Sequence, residues 1–349
     1  MNPDVPVSRL GERALIQKIA RWCGGGLAPR SLRGKIKVLT GIGDDAGVVK
    51  LASSRPLVAT TDTLIEGTHF RPDWAPRSLP KTAFWRSVGY KAMAVNLSDL
   101  AAMGDVQPLF ALVTLGLNGD ISLDTVDNVY KGIRKLTRFF GFFVLGGDII
   151  RSDKSMISIT IVGELNSSNP LARENAHKND FLMASGPLGL SSAGLQILQK
   201  RLTTGGPSSR ILLRAHLEPR PRLKEGRILA GRDILATAAL DSSDDLMTSL
   251  EILGEKSGVG FELELGPVPL HPALLSFCRK NKKSPYSFLL YGGEDYELIF
   301  TVPESAVARV KKKIRTAYVL GRVTPKSFGI QVRMNGRPFR TADSRFKHF

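Results

Sequence analysis

The sequence predicts an α/β fold (α+β by some schemes) in two domains. Short apolar runs alternate with stretches of helical periodicity in both halves. The 349 residues exceed the roughly 250–300 at which a single core stops growing. A polar, proline-terminated break, Asn166-Ser167-Ser168-Asn169-Pro170, is followed by a fresh strand–helix rhythm. The expected domains are 1–166 and 167–349.

The elements follow in order. Leu10, Ala14, Ile16, Ile19, Ala20 and Trp22 recur at helical spacing, and Gly24-Gly25-Gly26 ends that helix. Gly41-Ile42-Gly43-Asp44-Asp45-Ala46-Gly47 reads as a glycine-bracketed acidic turn before Val48-Val49. Pro56-Leu57-Val58-Ala59 reads as a strand ending at Thr60. A buried helix is expected over 79–103, with Asn96 and Asp99 on one face, then a strand over 108–117 and a helix over 123–139. Phe142-Phe143-Val144-Leu145 reads as a strand stopping at Gly146-Gly147-Asp148, and 155–165 alternates as a strand. In the second half, strands are expected at 181–184, 235–240 and 298–302. Helices are expected from Ser191, through Leu246, Leu250 and Leu253, and after Pro303-Glu304.

Composition excludes several classes. No run approaches the roughly 20 apolar residues of a membrane span. Residues 1–22 lack a signal-peptide core, and two cysteines are too few for a disulfide framework, so a reducing cytoplasm is expected. The 49 Lys and Arg against 32 Asp and Glu give a net charge of +17, with a pI near 10.0. That balance favours polyanions, but the basic residues are scattered, and the run from Arg309 to Arg315 reads as a solvated helix face.

Against this basic background six aspartates stand out at expected loop, strand-end or helix positions: Asp45, Asp62, Asp99, Asp148, Asp241 and Asp244. No His/Cys set with zinc spacing and no Gly-x-Ser-x-Gly elbow accompanies them. Acidic clusters gain little unless cations lie between them, and oxygen-only sites suit magnesium serving nucleotide phosphates. A polar turn at 60–70 and helix capping at 241–245 are the plain structural alternatives.

Five motifs occur together and in order. They are Gly43-Asp44-Asp45-Ala46, Thr61-Asp62-Thr63-Leu64-Ile65-Glu66-Gly67-Thr68-His69-Phe70, the run from Asn96 to Gly104 that contains Asp99, Gly146-Gly147-Asp148, and Gly292-Gly293-Glu294-Asp295-Tyr296-Glu297-Leu298. By these the chain resembles the thiamine-monophosphate kinases, relatives of aminoimidazole ribonucleotide synthetase and selenophosphate synthetase, from Gly11 to the C-terminus. The resemblance implies Mg2+-dependent transfer of the γ-phosphoryl group of ATP to thiamine monophosphate. It also implies a homodimer formed through the N-terminal sheet, and a C-terminal α/β domain. Asp45, Thr60, Thr61, Asp62, Asp99, Asp148, Asp241 and Asp244 match metal positions. Tyr130, Gly147, Asp148, Arg173 and Ser243 match nucleotide positions, and His69, Glu294 and Phe346 match acceptor positions.

Departures from the family pattern are Ile149 and Ile150 in place of threonines, Asp245 in place of glycine, Lys178-Asn179-Asp180 in place of Pro-Gly-Asp, and Tyr291 before Gly-Gly-Glu. At Asp245, positive φ or added charge is the expected difficulty. A selenophosphate synthetase would need a lysine closely following its reactive cysteine, which Cys23-Gly24-Gly25-Gly26 lacks. A basic binding protein on the same fold is the alternative from another class, and acids in its groove would repel nucleic acid.

Overall fold

The computed structural model describes residues 12–24, 28–32, 34–40, 48–53, 55–75, 80–167, 170–200, 202 and 206–340. The Cα framework forms two units, residues 1–100 with 107–166, and residues 101–106 with 167–349. Among the described residues no helix is long and apolar enough to cross a membrane.

The first unit opens with α1 (Glu12–Trp22) and an antiparallel pair, β1 (Ile36–Thr40) and β2 (Val48–Leu51). Then come β3 (Leu57–Ile65), α2 (Lys81–Ala102), β4 (Val106–Leu117), α3 (Leu123–Phe140), β5 (Phe143–Arg151) and β6 (Met156–Leu165). The last four strands make one sheet, in the order β3-β6-β4-β5. β4 and β5 are parallel, as a strand–helix–strand crossover through α3 requires. α2 buries Met93, Ala94, Val95, Leu97 and Leu100 together with the polar Lys91, Asn96 and Ser98, so its second half is enclosed, as the expected buried helix requires.

Two strands run further than expected. β3 continues through Thr60-Thr61-Asp62-Thr63, pairing in unbroken antiparallel register with β6 from Leu57↔Glu164 to Ile65↔Met156. Three β-branched threonines favour extended backbone, and a partner strand satisfies their amides. β5 likewise passes through Gly146-Gly147-Asp148 to Arg151. A Cβ on Gly147 would stand 1.8 Å from the Val113 carbonyl oxygen, so the glycine answers the close approach of β4.

α3 is closed at both ends. Ser122 accepts a hydrogen bond from the Thr125 amide, and Gly141 ends the helix at φ 75°. Its crossing with α2 is very close: a Cβ on Gly89 would lie 2.0 Å from the Val129 oxygen, and one on Gly132 2.0 Å from the Arg86 oxygen.

The second unit contains β7 (Phe181–Ala184), α4 (Leu190–Lys200), α5 (Gly206–Leu217), α6 (Leu223–Leu229), β8 (Ala238–Asp241), α7 (Leu246–Ser257) and β9 (Val259–Glu264). These are followed by α8 (Pro272–Lys280), α9 (Pro285–Tyr291), β10 (Leu298–Val302), α10 (Glu304–Lys313), β11 (Tyr318–Pro325), β12 (Ile330–Met334) and β13 (Arg337–Pro338). Seven strands form one sheet, β13-β12-β9-β11-β7-β10-β8, antiparallel except where β12 meets β9. Leu182, Leu240, Leu250, Phe261 and Ile299 fill its main core, and Ala193, Leu212, Leu274 and Phe277 a second one among α4, α5 and α8. β8 starts at Ala238, later than the expected 235, because Leu235 takes φ 51° and lies exposed.

The family departures fit this frame. Asp245 has φ −73° and caps α7, its carboxylate accepting from the Thr248 amide at 2.8 Å and hydroxyl at 3.0 Å. The backbone strain expected there does not arise, since an extended N-cap is where aspartate is favoured. Asn179 takes φ 75°, a left-handed turn that asparagine tolerates better than most non-glycine residues. Tyr291 ends α9 and packs, half-buried, on the main core.

Gly132→Ala is expected to destabilise the chain by about 1–3 kcal/mol through overpacking, whereas Asp245→Ala should cost only about 1 kcal/mol through the lost cap. Urea unfolding curves of the two variants check the ranking; equal midpoints would contradict it.

Candidate functional site

In the first unit the site grows from the alternation of β3. Thr60, Asp62 and Leu64 share one face of the strand by its period of two. Leu64 is buried in the core, and Thr60 Oγ1 donates to Asp99 Oδ2 on α2 at 2.5 Å. Thr60, Asp62 and Asp99 are thereby brought together. Asp62 keeps an exposed face on β3, yet desolvation by the surrounding protein, and then the negative charge of Asp99, push its carboxyl up from 3.8 to about 6. Thr61 faces the other way: its hydroxyl donates to the Ile159 carbonyl at 3.2 Å and accepts from Thr160 Oγ1 at 3.0 Å.

β3 ends in a tight turn. His69 N donates to Ile65 O at 2.9 Å, and Ile65 N donates to His69 Nδ1 at 3.1 Å. With Nδ1 accepting, the neutral ring carries its hydrogen on Nε2. The next residue, Phe70, is buried edge-on against Trp85, with ring centroids 5.6 Å apart, and anchors the turn.

Other expected positions lie elsewhere. Asp148 is exposed on β5, the opposite edge strand from β3. Three inter-strand steps separate the two edges, about 14 Å. Asp148 accepts a hydrogen bond from the Ile149 amide at 2.9 Å. Tyr130 is 2% exposed, packed against Trp22 at 6.0 Å between centroids, so it fills the core between α1 and α3 and presents no surface to a nucleotide. Burial, then Cys23, raises its hydroxyl well above the ordinary tyrosine range. Asp45 and Phe346 lie outside the described residues. Among the described residues no three His, Cys, Asp or Glu side chains converge on one point.

In the second unit two motifs distant in sequence meet. Asp241 is buried at the end of β8, and Ser243 and Asp244 are exposed just beyond it. The Glu294 amide donates to Ser243 O at 2.8 Å and the Tyr296 amide to Ser242 O at 3.1 Å. Glu294 and Tyr296 take φ 61° and 53°, left-handed values that side chains adopt only where surroundings enforce them. Asp295, between them, accepts from the Gly189 amide at 2.5 Å and the Ser191 amide at 2.9 Å, capping α4. Burial pushes its carboxyl up to about 7 against those two hydrogen bonds. Arg173 is exposed, and its carbonyl accepts from the Ser257 hydroxyl at 2.8 Å.

Sequence reasoning missed the supports of this loop. Glu297 is buried, accepts from Ser185 Oγ at 2.5 Å and pairs with Arg222, which also reaches Glu225 at 3.2 Å. Burial raises the Glu297 carboxyl in opposition to Arg222. The available signal was the density of acids in Glu294-Asp295-Tyr296-Glu297 beside an arginine-rich Pro219-Arg220-Pro221-Arg222.

Comparison with known proteins decides the family. Residues 43–165 match the AIR synthase related protein N-terminal domain, and residues 178–333 match the corresponding C-terminal domain. The thiamine-monophosphate kinase of Aquifex aeolicus is 34% identical, covering 85% of this chain and 88% of its own length. The chain belongs to the thiamine-monophosphate kinase family. The Synechococcus elongatus family member is 32% identical over 99% of this chain and 98% of its own. Among solved structures, AaThiL complexed with AMPPCP and TMP is 32% identical at TM-score 0.71, covering 99% of each chain. The thiamine-monophosphate kinase of Stenotrophomonas maltophilia is 28% identical at TM-score 0.75, covering 93% of this chain and 96% of its own. The fold also extends to the hydrogenase maturation protein HypE of E. coli, 18% identical at TM-score 0.71 over 94% of this chain and 96% of its own.

Asp62 keeps its proton to about pH 6 in the folded chain, against an ordinary value of 3.8, so the folded state binds the extra proton. Stability therefore falls as pH rises from about 4 to about 6. In metal-free buffer, Asp62→Asn should raise the thermal midpoint at pH 7 and leave it unchanged at pH 3.5, read by circular dichroism. An equal shift at both pH values would contradict the raised Asp62 carboxyl.

Proposed function

We propose that this chain transfers the γ-phosphoryl group of ATP to thiamine monophosphate, giving thiamine diphosphate and ADP. The observation that carries the reading is the Thr60–Asp62–Asp99 cluster, set in a chain that matches thiamine-monophosphate kinases along nearly its whole length. The structure of AaThiL with AMPPCP and TMP gives both substrate classes for a relative 32% identical to this chain.

The donor set fits Mg2+. Asp62 and Asp99 are hard oxygen ligands; desolvation and then the charge of Asp99 raise the Asp62 carboxyl, and a divalent cation between them offsets both. Asp45 and Thr60 are further proposed ligands beside this pair; Thr61 on the other face of β3, Asp148 on the far edge strand, and Asp241 and Asp244 of the second domain are proposed ligands of separate ions. Magnesium supplies the positive charge that neutralises the triphosphate and the acceptor phosphate as they approach.

The protein's own part is positioning. The Thr60 hydroxyl fixes one oxygen of Asp99 and orients the other. His69, with its Nδ1 engaged by the backbone, can donate from Nε2 to the acceptor phosphate. That phosphate is already ionised near neutral pH, so no strong general base is required. Gly147, Arg173 and Ser243 are assigned to the nucleotide, and Glu294 and Phe346 to the acceptor. We further assign the domains to 1–166 and 167–349, and homodimerisation to the four-stranded sheet, which exposes Leu57, Leu112 and Ile150. Two free thiols, Cys23 and Cys278, suit a reducing cytoplasm.

The test is Mg2+-dependent formation of thiamine diphosphate and ADP by the purified chain. Asp62→Asn and Asp99→Asn should each lower kcat on the order of a thousandfold while leaving the circular dichroism spectrum unchanged. Wild-type protein without turnover would overturn the activity. Full activity in both variants would overturn the metal assignment.

A further inference from the structure

We infer that His216 is a positioning residue for the acceptor, holding the Glu294 carboxylate through its Nδ1 atom; this rests on the assignment of Glu294 to the acceptor made above. His216 closes α5 and is 1% exposed. Its Nδ1 lies 3.0 Å from Ser191 Oγ and 3.4 Å from Glu294 Oε2. An ionised carboxylate can only accept, so an Nδ1–H is shared between the Ser191 hydroxyl at 3.0 Å and the carboxylate at 3.4 Å, the second contact being electrostatic. The Glu294 side chain is 26% exposed, so one part of it reaches solvent while Oε2 meets a buried ring. A carboxylate held in this way is suited to the cationic thiazolium or the amino group of a thiamine acceptor.

The surroundings are built for this contact. Ser191 has two tasks on α4: its amide holds Asp295, and its hydroxyl meets His216. Glu294 is therefore constrained from its next residue and from its own side chain. Its left-handed φ of 61° is stabilised from outside, through the amide bond to Ser243 O at 2.8 Å. α5 can bring the imidazole this near because Gly194 on α4 has no side chain. A Cβ there would lie 2.1 Å from the Leu212 oxygen and 3.1 Å from the His216 Cβ. The Ser191 hydroxyl already partners Nδ1, and the acid is a further contact, supplied by a residue in a costly conformation.

Steady-state kinetics on the full chain separate the possibilities. His216→Ala should raise the KM for thiamine monophosphate about tenfold, as expected for loss of one hydrogen bond to a charged group, with the KM for ATP unchanged. His216→Asn, which can return an N–H near the Nδ1 position, should recover most of that loss. Ser191→Ala keeps the backbone amide and should raise the same KM by about threefold. In a Glu294→Gln background, His216→Ala should add nothing further. If Glu294→Gln raises the acceptor KM but His216→Ala and Ser191→Ala do not, the inference fails and the Glu294 assignment stands. If Glu294→Gln leaves the acceptor KM unchanged, the Glu294 assignment fails and the inference with it. Equal rises in both KM values with a lowered thermal midpoint would make His216 a packing residue and also overturn the inference.

Discussion

Two carboxylates, Asp62 on β3 and Asp99 on α2, are held near one another in a chain whose net charge is +17. Desolvation, and then the like charge of Asp99, oppose ionisation, and the folded chain holds a proton on Asp62 to about pH 6. The surrounding structure fixes this arrangement. The unbroken β3–β6 register puts Thr60 and Asp62 on one face, α2 is too apolar to turn Asp99 elsewhere, and Thr60 locks its carboxylate. A folding cost kept in place by so many contacts is one that the proposed cation would relieve.

The second unit meets a different constraint with a similar solution. The Gly292–Glu297 segment carries three acids in four residues from Glu294 onward, and each has its own partner. Asp295 caps α4, Glu297 pairs with Arg222, and Glu294 meets His216. Backbone hydrogen bonds to Ser242 and Ser243 then tie the segment to the strand end that carries Asp241 and Asp244. The proposed acceptor residue and the proposed metal ligands of this domain thus lie on two segments tied together by backbone hydrogen bonds.

Much of this was legible in the residues. Helical periodicity located α2, α3 and α7, and the apolar runs located β4, β6, β7 and β10 within a few residues. The strand ends at Thr60 and Gly146 were misplaced because a polar Thr-Thr-Asp or Gly-Gly-Asp run reads as a loop until a neighbouring strand pairs with it. Pairing is tertiary, as are the 1.8 Å approach that demands Gly147 and the burial that turns Tyr130 inward. Asp245 looked like a defect by comparison with glycine and is a helix cap, a role that its local sequence could have suggested. The roles of His216, Ser191 and Arg222 drew no notice, because nothing local marks a residue whose partner lies 25 to 104 positions away.

The central claim is that the Asp62–Asp99 pair exists to hold a divalent cation. Electron paramagnetic resonance with Mn2+ as the probe measures this directly, by counting ions bound to the full chain and to its Asp99→Asn variant. The wild-type chain is predicted to bind Mn2+ at a site that Mg2+ displaces and that the variant lacks. Equal binding by the two proteins would contradict it.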